Sequence, residues 1–90
     1  MIKQATSWDL EERTARLGES VIDLCKVIPR NILSDPIIRQ LIRAATSVGA
    51  NYCEADDAES RKDFRHKIGI SKKEAREINL ILNTIFRKVR

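Results

Sequence analysis

The chain has 90 residues, room for one domain, with hydrophobic residues at 42%, charged residues at 33% and a net charge of +4. That balance excludes a disordered polymer, and no apolar run approaches the roughly 20 residues that a membrane-spanning helix needs. The charge is also uneven: residues 1–60 carry 7 Lys/Arg and 10 Asp/Glu, while residues 61–90 carry 10 and 3, so a net −3 segment precedes a net +7 one.

The first pattern begins near Thr6 to Asp9. Leu10, Thr14, Leu17, Val21, Leu24 and Ile28 recur at steps of three and four, which predicts a helix with one apolar seam over about 7–28. Pro29 ends it, because proline disfavours helical geometry in the preceding residue and donates no N–H. Trp8, just before the seam, is expected to staple the helix start or to anchor an interface.

The second pattern opens with Ser34-Asp35-Pro36. Ser34 or Asp35 can cap, and Pro36 suits a first helical position, predicting a helix over about 36–56. One seam runs through Ile37, Leu41, Ala44, Val48 and Tyr52, and a second through Ile38, Ile42, Ala45 and Gly49. The acids that follow oppose the helix dipole at a C-terminus and favour termination there. Ala45, Gly49 and Cys53 form a stripe of small residues, and a glycine inside a helix costs about 1 kcal/mol relative to alanine. Close approach of another helix, within the chain or between copies, would offset that cost, and so would a ligand cavity or a backbone contact to nucleic acid.

The third pattern opens at Ser60, with Asp63 three residues on, a variant of the capping box. Phe64, Ile68, Ser71, Ala75, Ile78, Leu82, Ile85 and Val89 then predict a long helix over about 61–88. Short connections make consecutive helices antiparallel neighbours. The fold class read from these patterns is all-α: a single antiparallel bundle domain of three helices.

Lys62, Arg65, Gly69, Lys72 and Arg76 step along one line of that third helix, with Lys73 beside it. Such a line can follow a phosphate backbone, with Gly69 permitting close approach. Aromatic residues for base stacking are missing from it, so binding would rest on charge and shape. The same line can equally be a solvated face, or pair with Asp56, Asp57 and Glu59 of another copy. Asp63 and His66 have the spacing of half a di-iron bundle site, yet a single histidine per chain cannot complete one, and no metal or other cofactor is expected. Cys25 and Cys53 lie on or beside apolar faces as small hydrophobes. No nucleophile stands with an oriented base, so neither a catalytic residue nor a small-molecule substrate is expected. Without an apolar leader or a paired-cysteine pattern, the expected location is cytoplasmic.

The stretch LIRAATSVGANYCEAD followed by ESRKDFRHKIGISKKEARE resembles the four helix bundle protein family, also called the 23S rRNA-intervening-sequence protein family. The opening WDLEERTARLGESVIDLCKVIP is similar to that family's first helix. The resemblance covers about residues 8–77 and rests on the small-residue run, Asn51, Glu54, Ser60, Lys62, Phe64 and Lys73-Glu74-Ala75. It implies an antiparallel four-helix bundle that assembles as a homo-oligomer, often a pentamer. It also implies kinship with the accessory proteins of diversity-generating retroelements, basic barrels that bind nucleic acid and a nucleic-acid enzyme. This chain is shorter than the family pattern by one helical hairpin. Either an internal deletion joined the start of helix three to the end of helix four, or the chain is truncated. Three helices with an exposed apolar groove follow, and such a groove seeks a partner.

Overall fold

The computed structural model describes residues 7–89, with side chains described from Asp9 to Lys88. Three helices account for nearly all of it: α1 (Ser7–Val27), α2 (Ser34–Asp56) and α3 (Arg61–Val89). The chain is thus all-α, with no strand among the described residues. The Trp8 side chain, the chain before Ser7 and the Val89 side chain that closes the third seam lie outside the described residues.

α2 is the central element, and α1 and α3 each pack against it rather than against one another. Both contacts are antiparallel. Across the α2–α3 face, Arg43 meets Glu74 and Glu77, the Ser71 hydroxyl donates to the Val48 carbonyl at 2.9 Å, and Glu54 meets Lys67. Across the α1–α2 face, Gly49 lies against Thr14. Numbers rise on one helix as they fall on the other. The 29 residues of α3 at 1.5 Å per residue set the long axis of the 44 × 29 × 19 Å molecule.

The core is small. Val21 and Cys25 of α1, Leu41, Ala44, Ala45 and Val48 of α2, and Ile78 of α3 form one buried cluster. Leu17, Ile38, Ile81, Leu82 and Ile85 pack on its edge. The α1 and α2 seams match the spacing expected of them, except that Ile37 and Ile42 remain partly exposed. The third seam departs at two positions. Ala75 is exposed and Glu74 is buried beside it, because the carboxylate is drawn inward to Arg43. Phe64 is half-exposed. Since Lys67 faces Glu54, Phe64 lies opposite Asp57, just past the last residue of α2, with no helix beneath it.

The caps divide the same way. Ser60 accepts a hydrogen bond from the Asp63 amide at 3.1 Å, as an N-cap serine should. The start of α2 is different: neither Asp35 nor Ser34 caps it as expected, and the helix begins two residues earlier than Pro36 suggests. Asn31 supplies the cap. Its Oδ1 accepts from the amides of Leu33 and Ser34, both at 2.9 Å. The Ser34 hydroxyl accepts from the Asn31 amide at 2.9 Å and donates to the Pro29 carbonyl at 2.6 Å. Asp35 is engaged by Arg30 at 3.1 Å.

Candidate nucleic-acid interface

The basic line of α3 can be placed once its buried side is known. At about 100° per residue, Ser71, Glu74, Ile78, Ile81 and Ile85 mark the face turned to α2. Lys62, Arg65, Lys72, Lys73 and Arg76 fall on the opposite side, and all five are exposed. From Lys62 to Arg76 the line covers about 21 Å. None of the five makes an ion pair or side-chain hydrogen bond among the described residues. Asp56, Asp57 and Glu59 sit exposed at the α2–α3 corner and neutralise none of them within the chain.

The acids of α3 are sorted to the other side. Glu74, with its side chain only 8% exposed, accepts from Arg43 Nη1 at 3.1 Å, and Glu77 accepts from Nη2 at 2.8 Å. The hydrogen bond to Glu77, followed by the charge of Glu74, holds the Arg43 guanidinium above its ordinary pKa. Asp63 is confined to the first turn. Lys67, the cation on the inner flank, is paired with Glu54 at 2.7 Å, and that hydrogen bond raises its pKa. The outward face from Lys62 to Arg76 is left with positive charge alone.

Gly69 lies mid-line, and a Cβ built there would meet nothing within 4 Å. Packing therefore does not require a glycine at this position. The line also continues past Arg76: the same three-and-four stepping carries it over Leu80 and Asn83 to Arg87, exposed like the others. Arg87 is absent from the line drawn on sequence alone, although the stepping that finds it is present there. Arg43 and Glu74, which arrange the charges, cannot be paired without the α2–α3 register.

The small-residue stripe runs outward along α2: Ala45 is 2% exposed, Gly49 half-buried and Cys53 exposed. The two cysteines separate accordingly, and burial pushes the Cys25 thiol up. Asn51 donates within its own helix, to the Ser47 carbonyl and hydroxyl. His66 is exposed, and among the described residues no group of three or more His, Cys, Asp or Glu side chains gathers to hold a metal. No described helix is long and apolar enough to cross a membrane.

A family model described as 23S rRNA-intervening sequence protein matches residues 7–88. The chain belongs to that family. The match runs through all of α1, α2 and the basic line of α3, extending beyond residue 77, where the resemblance read from motifs stops. The 23S rRNA-intervening sequence proteins are a helical family of unclear function and not a known enzyme family. No curated protein and no solved structure matched the chain.

Proposed function

We propose that this 23S rRNA-intervening sequence protein is a non-enzymatic, oligomeric helical-bundle accessory protein that docks on the phosphate backbone of RNA or DNA through the outward face of α3. It would thereby serve as an adaptor for nucleic acid or for an enzyme acting on it. The observation that carries this reading is the sorting of charge on one helix. Glu74 and Glu77 are held inward by Arg43, while Lys62, Arg65, Lys72, Lys73 and Arg76 stand outward without an acid partner. An unpaired row of cations gains by displacing the counterions of a polyanion. Both cysteines are free, which fits a reducing cytoplasm.

Fluorescence anisotropy with mixed-sequence RNA and DNA tests the reading. Binding should weaken linearly in log affinity with log salt. Replacing Lys62, Arg65, Lys72 and Arg76 together by Ala should reduce that slope by about 0.9 for each phosphate no longer neutralised. Undetectable binding at low salt, or an unchanged slope in the variant, overturns it. A second reading, a purely structural oligomerisation or protein-interaction module, draws on the large apolar side chains left exposed, among them Val27, Ile32, Leu33, Leu80 and Phe86. It predicts full partner capture by the same quadruple variant.

A further inference from the structure

We propose that the nucleic acid taken by the outward face of α3 is a double helix. α3 lies across one groove, so that Lys62 and Arg65 hold phosphates of one strand while Lys72, Lys73 and Arg76 hold phosphates of the other. The inference rests on the phosphate docking proposed above and adds to it the form of the polynucleotide.

The cations of the line are not evenly spread. Lys62 and Arg65 make one group, and Lys72, Lys73 and Arg76 make a second. From Arg65 to Lys72 the helix rises about 10 Å. That interval presents no unpaired Lys or Arg. Lys67 is turned inward to Glu54 at 2.7 Å, and the Ser71 hydroxyl donates to the Val48 carbonyl at 2.9 Å. Ile68 and Ile70 are half-buried on the two flanks, and the exposed His66 stands about 60° off the line. Gly69 alone lies on the line between the two groups.

Two charged groups fixed on one straight helix match two rows of phosphate at a fixed separation. The major groove of B-form DNA is about 12 Å wide, and splayed Lys and Arg side chains extend the 10 Å interval to its rims. The A-form minor groove is wide as well, and shallow. α1 packs on α2 and not on α3, so it does not shield the outward half of α3. A helix about 10–12 Å across with its side chains can then be laid over such a groove.

A single strand fits the same face poorly. It must stretch phosphates across the interval, where no cation neutralises them, and lose its freedom in doing so. Sequence-tolerant binding of single strands also draws on aromatic platforms, and the line has no Phe, Tyr or Trp. Over the groove itself, Gly69 brings no donor or acceptor side chain to a base edge. The contact is therefore to phosphate rims on both strands, without base readout.

Anisotropy with four labelled probes supplies the test: mixed-sequence DNA and RNA, each as a duplex of about 16 base pairs, longer than the line at about 3.4 Å per pair, and each as a single strand. At equal salt one duplex should bind at least tenfold tighter than its own strands. Preference for the DNA duplex assigns the major groove and preference for the RNA duplex the A-form minor groove; either supports the reading. Arg65→Ala with Gly69→Arg then moves one cation into the interval at constant net charge, both sites being exposed and position 69 having open space. This variant should bind the duplex no better than Arg65→Ala alone, a loss of about fivefold to tenfold at 0.1 M salt with a slope lower by about 0.9. Its single-strand affinity should stay within twofold of wild type. Equal binding of duplex and single strand, or a moved cation that restores wild-type duplex affinity, overturns the contact across the groove and leaves phosphate docking standing. No binding to any of the four probes at low salt overturns both.

Discussion

Arg43→Met should unlatch α3 from α2 at a cost that the geometry allows to be worked out. The guanidinium holds two carboxylates at 3.1 and 2.8 Å; Glu74 has a side chain 8% exposed, Glu77 31%. Removing the cation leaves Glu74 nearly buried without its charged partner, a loss of about 1–3 kcal/mol. The more solvated Glu77 pair adds about 0.3–1 kcal/mol. Arg43 is itself half-exposed, so solvent screens the gain and the lower half of that range applies, about 2 kcal/mol in all. In a domain of this size that lowers Tm by about 10 °C. Pairing Arg43→Met with Glu74→Met should recover most of the loss, because an apolar pair needs no compensating charge. Urea denaturation followed by circular dichroism at one fixed protein concentration measures both. The reasoning fails if Arg43→Met costs less than about 0.5 kcal/mol, or if the double variant is no more stable than the single one.

Gly49→Ala should stabilise the protein by about 1 kcal/mol: the new methyl would lie 3.7 Å from the Thr14 hydroxyl, an ordinary contact, and a lowered urea midpoint would show that the α1–α2 approach needs glycine after all. Gly69→Ala should gain a similar amount in the same assay, having open space around it, yet weaken nucleic-acid binding if the backbone approaches phosphate there; equal affinity would confine the interface to its side chains. Stability should fall at alkaline pH. Cys25 is raised by burial, Tyr52 first by burial and then by the charges of Asp56 and Glu11, and Lys67 by its hydrogen bond to Glu54. With all three raised in the fold, the native state binds more protons than the unfolded chain once the pH passes the ordinary thiol value near 9. These contributions are complete below that value and lost as pH climbs through the folded values, so urea midpoints should decline steadily above about pH 9; a flat profile would contradict the burial of Cys25 and Tyr52.

The helices were legible because their signals are local. Pro29 and Ser60 are boundary residues whose geometry acts within one turn, and the apolar steps of α1 and α2 place Val21, Leu41, Ala44 and Val48 in the core. What the sequence hid depends on register between helices. Asn31 looks like an ordinary loop residue until the corner folds back on it. Glu74 reads as a surface charge on a polar flank, and only the antiparallel placement of Arg43 turns it inward and sets Ala75 outside. Phe64 belongs to the third seam by spacing and loses its burial because α2 ends at Asp56, a length mismatch visible only when the two helices are laid side by side. The basic line was legible for the opposite reason: it needs no partner, so the period of one helix suffices to assemble it.

The latch and the basic face are therefore linked by one residue. Glu77 lies four residues after Lys73, the spacing at which opposite charges on a helix pair. While Arg43 holds Glu77 at 2.8 Å, Lys73 keeps its charge unpaired among the described residues. Without Arg43 the carboxylate should swing to Lys73 and put an acid at the edge of the outward face. Arg43→Met should then weaken nucleic-acid binding although Arg43 lies on α2 and off the line, and Arg43→Met with Glu77→Gln should restore affinity without restoring stability. Anisotropy at one low salt concentration separates the two effects. Equal losses of affinity in the single and double variants would mean that Glu77 never competes for Lys73, and that the charge sorting of α3 follows from helix geometry alone.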